Sequence, residues 1–201
     1  MTPAYVLHAL TTALRTLRFD GKALDDYDRS FEGFFRSFFA AFLALPIHVF
    51  LSLGEVRVLA GAAALSTEGT PAPAPEGFSY SLGDVFLYAL DWVTFPIVMI
   101  GVTRLIGAQA RYVPYIVAYN WGSFIVLLAT VPPYLAYLSG AVPITGFVML
   151  FYVSIAFVMA YRWMLAREVL KINAATAAGI VILDLLVSAV VLRFAAQMLG
   201  L

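Results

Sequence analysis

Five side chains that are charged or strongly hydrogen-bonding fall inside long apolar segments of this chain: Asp91, Asn120, Asp184, Arg193 and His48. An ionised side chain inside a lipid bilayer costs at least ~2.5 kcal/mol unless it is paired or hydrated. Two interpretations are open. Either the residues form a polar pathway for a proton, an ion or a small polar solute, or they form buried contacts that fix how the helices dock.

The positions of these residues along their segments predict two pairs. With a helical rise of ~1.5 Å per residue, Asn120 and Asp184 lie at similar depths from one end of the bundle, where the amide can donate to the carboxylate. Asp91 and Arg193 lie at similar depths from the other end, and Asp84 is the alternative partner of Arg193. A pair between Arg193 and Asp184 is excluded, because nine positions of one helix rotate the two side chains ~180° apart.

The sequence carries none of the common catalytic signatures. A glycine-rich phosphate loop, a His-Glu-x-x-His zinc motif and a Gly-x-Ser-x-Gly nucleophile turn are all absent. Two histidines are too few for a multi-histidine metal site, and the lack of cysteine excludes disulfides, thiolate catalysis and cysteine-ligated metals. We therefore predict that the protein is not an enzyme and has no catalytic residue, no metal and no cofactor.

The composition is typical of a membrane protein and not of a soluble domain. Of the 201 residues, 63% are hydrophobic and 12% are charged, whereas soluble domains are roughly 45–50% apolar and about 25% charged. The polar residues are too few to cover a water-soluble globule. The net charge of zero argues against a nucleic acid partner, and the lipid bilayer is the predicted partner instead.

The apolar segments organise most of the chain into one membrane domain. A helix of ~20 residues is needed to cross the hydrocarbon core. We predict an all-α polytopic integral membrane protein, with a bundle of five transmembrane helices in residues 34–201. The predicted spans are about 34–53, 82–107, 113–138, 142–166 and 174–199. A proline-rich segment, 66–79, is predicted to be an extracytoplasmic loop, because proline disrupts a helix interior.

Local signals refine these boundaries. Pro132-Pro133 is expected to end or bend the third span, because each ring removes a backbone donor and restricts the residue before it. The apolar segment 58–65 is expected either to extend the first span as a helix or to form an interfacial turn. Two pairs of small residues, at 40/44 and 175/179, predict close contacts between helices.

Residues 1–33 are predicted to be a cytoplasmic lead that begins with an amphipathic helix capped by Thr2. Its apolar face is formed by Val6, Leu7, Leu10, Ala13, Leu14 and Leu17, and its polar face by His8, Thr12, Arg15 and Arg18. We predict that the helix lies in the membrane interface, with Arg15 and Arg18 against anionic lipid headgroups. The alternative is a helix that packs on the rest of the protein.

The basic residues predict the orientation of the chain. With a cytoplasmic N-terminus, ten of them, Arg162 included, fall on the cytoplasmic side, and only Arg57 and Arg193 fall elsewhere. This excess of positive charge inside favours five spans and an extracytoplasmic C-terminus. The predicted location is the cytoplasmic membrane of a bacterium.

Two segments resemble the Yip family of membrane proteins. One contains LIGAQA at 105–110 and YIVAYN at 115–120 and ends in Pro132-Pro133, and the other contains WML at 163–165 and REVLKINAA at 167–175. The resemblance implies five spans, a cytoplasmic N-terminus and no catalytic residues. Eukaryotic members associate with Rab GTPases in vesicle traffic, whereas many bacterial relatives have no assigned role. The Asp-Leu-Tyr-Gly-Pro-type signature of the eukaryotic members is missing here, so a Rab-linked role is not implied.

Two functional hypotheses remain. The first is a non-enzymatic multi-pass protein that organises the membrane or serves as an accessory subunit of another membrane or cytoplasmic protein. It is based on the absence of catalytic motifs, on the lead helix and on the family resemblance. The second is a small transporter or channel in which Asp91, Asp184, Asn120 and Arg193 form a polar pathway.

Overall fold

The long apolar runs coil as helices, because a helix satisfies its backbone N–H and C=O groups within one segment. The computed structural model describes residues 1–18, 21–66 and 82–199, and every regular element within these ranges is helical. The α-helices of the described chain are α1 (Pro3–Thr16), α2 (Phe31–Ser37), α3 (Phe39–Ser66), α4 (Leu82–Leu105), α5 (Tyr112–Leu138), α6 (Ile144–Leu170) and α7 (Ala174–Leu199). Short 3-10 turns, Gly21–Asp26 and Gln109–Arg111, precede α2 and α5.

Five helical segments are long and apolar enough to cross a membrane, as the sequence predicts. They are Phe31–Ala63, Asp84–Leu105, Gln109–Leu138, Ile144–Leu170 and Ala174–Val191. Helix α7 has the same bounds as the predicted fifth span, whereas α6 continues to Leu170, beyond the predicted end of the fourth span at 166. The predicted loop 66–79 lies outside the described residues, apart from Ser66 at the end of α3.

The structure decides two of the boundary expectations. Residues 58–65 lie within α3, so the helical extension is confirmed and the interfacial turn is wrong. Of the two outcomes expected at Pro132-Pro133, an end of the span is wrong, because α5 continues through both prolines to Leu138, and a bend stays a prediction. The two prolines remove only two backbone donors. The amide of Ser139 still donates to the carbonyl of Leu135 at 3.0 Å, which closes the last turn.

Helix α5 occupies the centre of the bundle and packs against α1, α2, α3, α4 and α6, whereas α7 packs against α6 and α4. The core is built around fully buried side chains of α5, including Tyr115, Ile116, Trp121 and Ile125. These large side chains are buried because α5 packs against five neighbouring helices. This arrangement lets α5 position polar groups against several neighbours at once.

The two predicted small-residue contacts have different outcomes. Ala40 and Ala44 of α3 are fully buried, as a close helix contact requires. The prediction for 175/179 is wrong within the chain, since both residues are exposed and a Cβ atom on Gly179 would meet nothing within 4 Å. Helix α7 instead turns Ala177 and Ile180 towards its neighbours.

Helix α1 is capped as predicted, with the amide of Tyr5 donating to Thr2 Oγ1 at 3.3 Å. It packs on the protein through Ala9, Thr12, Ala13 and Thr16, all buried. The polar position predicted for Thr12 is therefore wrong, because α1 uses a face of small side chains to approach α5 closely.

The packed alternative for α1 is confirmed by two further contacts. Thr16 Oγ1 and the hydroxyl of Tyr161 lie 2.7 Å apart, and the ring of Tyr5 meets that of Trp121 edge-on at 6.4 Å between centroids. Leu7 and Leu14 remain exposed on the side of α1 away from this contact. Contact of these two leucines with the membrane interface stays a prediction.

Candidate functional site

A buried arginine, Arg162 of α6, is the centre of a polar cluster between the helices. Its side chain is only 11% exposed. The guanidinium carbon lies 3.8 Å from the centroid of the Tyr119 ring. Nη1 donates to the carbonyl of Tyr119 at 3.3 Å, and Nη2 donates to Ser123 Oγ at 3.0 Å. Since Tyr119 and Ser123 are one turn apart on α5, this helix holds the guanidinium through both its backbone and its side chains.

Asp184 of α7 supplies the counter-charge. Its Oδ2 atom lies 3.7 Å from Arg162 Nε, and its side chain is 14% exposed. The hydroxyl of Tyr119 donates to Asp184 Oδ1 at 2.6 Å. The ring of Tyr119 also stacks on Phe95 of α4, with 4.4 Å between centroids. One tyrosine therefore links the buried ion pair to the aromatic core, and the two charges are both paired and hydrogen-bonded, as burial requires.

A second polar contact lies one turn further along α7. Ser188 Oγ donates to Asp91 Oδ1 of α4 at 3.1 Å. Ser188 follows Asp184 by four positions, so the two side chains share one face of the helix. Helix α7 thus presents two polar groups in a row, one towards Arg162 and one towards Asp91.

These contacts border a cavity of about 580 Å³. Its polar lining consists of His48, Ser52, Glu55, Asp84, Tyr88, Asp91, Trp92, Tyr119, Ser123, Arg162 and Ser188. The volume falls within the range of small-molecule sites, roughly 300–1,000 Å³. The lining includes both the buried Arg162 and Glu55, an exposed residue of α3.

The cavity is lined mainly by α3, α4 and α5, with Arg162 of α6 and Ser188 and Val191 of α7 completing its wall. In the described part of the chain, α3 and α4 approach each other less closely than each approaches its main packing partner. Side chains bridge the gap between them. The hydroxyl of Tyr88 donates to the carbonyl of Ala41 at 2.7 Å, and the rings of His48 and Tyr88 lie 4.5 Å apart between centroids. His48, a sequence candidate, is therefore a wall residue of the cavity.

The predicted pairing of Asn120 with Asp184 is wrong. Asn120 is completely buried and donates through Nδ2 to Ser37 Oγ of α2 at 2.8 Å. Its neighbour Tyr119 takes the predicted role of donor to Asp184. Adjacent residues of a helix point ~100° apart, so similar depths do not place both on the same face.

The predicted pairing of Asp91 with Arg193 is also wrong. Asp91 binds Ser188, and Arg193 is exposed. Ser188 and Arg193 are five positions apart on α7, which corresponds to ~140° of rotation. Of the sequence candidates, Asp91 and His48 line the cavity and Asp184 borders it through Arg162, whereas Asn120 and Arg193 do not line it.

The two arginines predicted to meet lipid headgroups lie on the exposed side of the lead. Arg15 forms an ion pair with Asp26, and Arg18 is exposed at the end of α1. His8, which shares this side, hydrogen-bonds the carbonyl of Asp26 at 3.0 Å. These contacts fix α1 to the 3-10 turn that follows it. Contact of Arg15 and Arg18 with lipid headgroups stays a prediction.

Sequence analysis missed the two residues at the centre of the site, Arg162 and Tyr119. Arg162 counts among the basic residues predicted on the cytoplasmic side, although it lies inside the predicted span 142–166. The helix continues to Leu170, which places Arg162 two turns inside it. The available signal was the continued helical pattern up to Leu170, and Tyr119 carried no signal apart from its place next to Asn120.

The side chains that line the cavity also decide whether it can hold a metal ion. Among the described residues, no three His, Asp or Glu side chains are arranged closely enough to hold a metal ion.

Comparison of the chain with protein families, with curated proteins and with solved structures yields no match.

Proposed function

We propose that the protein is an integral membrane protein that binds and translocates a small polar solute through the cavity between α3 and α4. The observation that carries this proposal is the cavity itself, bordered by the buried pair of Arg162 and Asp184 and lined by Asp91. Intramembrane ionisable residues that face a cavity are the usual mark of a solute or ion pathway.

Membrane insertion is supported by the outer surface of the bundle. Large apolar side chains are exposed on several of the long helices, among them Phe42, Met149, Val153 and Val190, each at least 66% exposed. Exposed apolar surface on this scale is characteristic of contact with lipid or with another protein. Together with the five long apolar helices, it supports a chain that crosses the bilayer five times.

The proposed orientation has the N-terminus in the cytoplasm and the C-terminus outside, in a bacterial cytoplasmic membrane. The absence of cysteine makes this easy to test, because every introduced cysteine is the only thiol. A membrane-impermeant thiol reagent added to intact cells should label Ser139→Cys, between α5 and α6, and should spare Lys171→Cys, between α6 and α7. The reverse labelling pattern would overturn the orientation.

Transport is tested with the purified chain in liposomes. We expect uptake of at least one small polar solute, or a proton flux read with an enclosed pH-sensitive dye. Asp184→Asn should abolish it, because Arg162 would lose its counter-charge. Asp91→Asn, which leaves the buried pair intact, should reduce it. Asp26→Asn alters an exposed ion pair and serves as the control.

The proposal would be refuted if no flux were seen. It would also be refuted if vesicles with Asp91→Asn, with Asp184→Asn and with the wild type showed equal flux.

A second candidate function is the membrane-organising or accessory role, which the Yip resemblance also favours. The supporting observation is that α1 docks on the bundle while exposing Leu7 and Leu14, a geometry suited to inserting a shallow apolar face into lipid. Vesicles that contain the protein should then change shape in electron micrographs, and replacement of both leucines by Asn should prevent the change. Vesicles whose shape is unaffected by the protein would argue against this role.

A further inference from the structure

The charges of the cavity favour a positively charged ligand. Three carboxylates line it, those of Glu55, Asp84 and Asp91, and Arg162 is the only strong base among its described lining residues. Arg162 is already neutralised by Asp184. Even with Asp84 left out, because it has an interaction of its own, Glu55 and Asp91 give the described lining a surplus of negative charge, which attracts cations and repels anions.

The guanidinium of Arg162 is poorly placed to bind an anionic ligand. Its Nη1 and Nη2 groups donate to Tyr119 and Ser123, and its Nε group faces Asp184. The ring of Tyr119 covers one face of the guanidinium. A ligand carboxylate or phosphate would compete with Asp184 for the charge of Arg162, whereas a cation would not.

Helix α4 adds aromatic walls to the carboxylates. Asp84, Tyr88, Asp91 and Trp92 all line the cavity, and their spacing places them along one face of the helix. The rings of Tyr88 and Trp92 lie 6.0 Å apart between centroids. Carboxylates next to aromatic faces are the chemistry by which proteins recognise ammonium groups, through charge and through cation–π attraction.

The size and the donor arrangement of the cavity favour an organic cation over a metal ion. The volume of about 580 Å³ greatly exceeds that of a bare ion, and the remaining walls include Val56, Leu87 and Leu127. Within the described ranges, the carboxylates and His48 are not grouped closely enough for three of them to share one metal ion. We propose, building on the proposed function, that the cavity binds a small organic cation with an ammonium head and an apolar body.

In this complex the ammonium head lies against Asp91 and the aromatic rings of Tyr88 and Trp92. The Ser188 hydroxyl holds one oxygen of Asp91, which orients the carboxylate while leaving its other oxygen for the ligand. Glu55, an exposed residue of the lining, attracts the cation into the cavity. The apolar body packs on the aliphatic walls.

The test uses the purified full chain in detergent and isothermal titration with three probes. They are choline, its uncharged isostere 3,3-dimethylbutanol, and acetate. We expect choline to bind at least about tenfold more tightly than the isostere, because only the charged head gains the carboxylate and cation–π attraction. Equal affinity for choline and the isostere, or preferential binding of acetate, would overturn the proposal.

Variants assign the binding to the proposed residues. Asp91→Asn should weaken choline binding by about tenfold, and Asp91→Glu should restore part of the affinity. Glu55→Gln, a change at an exposed residue of the lining, should weaken choline binding by a smaller factor. A melting curve without ligand shows whether Asp91→Asn folds. If it does not, Glu55→Gln still tests the effect of charge. Asp26→Asn is the control and should leave the affinity unchanged. Unchanged choline affinity in a folded Asp91→Asn and in Glu55→Gln would overturn the assignment.

The outcomes also separate this inference from the proposed function. Solute flux in liposomes that choline does not inhibit would refute the organic cation and leave the transport function standing. If no probe binds and no flux is seen, both are refuted. Binding of choline without flux would support the ligand class and refute translocation.

Discussion

The guanidinium of Arg162 lies over the ring of Tyr119, with 3.8 Å between its central carbon and the ring centroid. The same tyrosine donates its hydroxyl hydrogen to Asp184. The face of the Tyr119 ring thus contacts the guanidinium of Arg162, and the hydroxyl group at its edge contacts the carboxylate of Asp184. Four helices meet at this side chain, because its ring also stacks on Phe95.

The first prediction concerns the coupling of Arg162 and Asp184. Asp184→Asn or Arg162→Gln alone should lower the free energy of unfolding in detergent by about 3–5 kcal/mol, because each leaves a buried charge unpaired. The double variant should lose much less than the sum of the two. The exposed pair of Arg29 and Asp25 is the matched control and should show little or no coupling, because solvent screens exposed charges. Additive losses at Arg162 and Asp184 would show that the two charges do not interact.

The second prediction separates the two contacts of Tyr119. Tyr119→Phe keeps the ring over Arg162 and removes the hydrogen bond to Asp184, which should cost about 1.5–3 kcal/mol, the usual value for a bond to a charged group. Tyr119→Leu also removes the ring and should cost more. Thermal unfolding in detergent measures both. If the two variants unfold at the same temperature, the contact between ring and guanidinium contributes nothing.

The third prediction concerns the crossing of α3 and α5. A Cβ atom on Gly54 would lie 2.5 Å from Cδ1 of Tyr134, a buried side chain. Gly54→Ala should therefore destabilise the bundle by about 1–3 kcal/mol through overpacking. Gly179→Ala on α7 is the control, since its Cβ would meet nothing within 4 Å, and it should be neutral or stabilise the helix by up to ~1 kcal/mol. Equal effects of the two changes on the melting temperature would contradict the close crossing.

The fourth prediction concerns the docking of α1. Thr16→Val leaves the buried hydroxyl of Tyr161 without its partner, at a cost of about 1–3 kcal/mol. Backbone amides of α1 should then exchange hydrogen about ten- to a hundredfold faster in mass spectrometry. Thr11→Val is a matched control on the same helix, because exposed Thr11 bonds only the carbonyl of His8. Faster exchange in both variants would mean that helix propensity, and not the contact with Tyr161, holds α1.

The sequence predicts the helices well and the contacts between them poorly, for a physical reason. Apolar length and caps are local properties, so the bounds of α7 and the cap at Thr2 follow from the residues themselves. A contact depends on how each helix is rotated about its axis. Asn120 and Tyr119 differ by one position, yet only Tyr119 faces Asp184. Depth along a helix is readable from sequence, whereas its rotation is set by packing across the whole bundle.

The buried ion pair joins two positions that are close in sequence. Arg162 and Asp184 are only about 22 positions apart, and the turn between α6 and α7 closes through Lys171, whose left-handed conformation has a φ of 56°. A hairpin of two neighbouring helices forms with little loss of chain entropy. For a chain that enters a bilayer, this allows α6 and α7 to be inserted together with Arg162 and Asp184 already paired, so neither of these two charges has to cross the hydrocarbon alone.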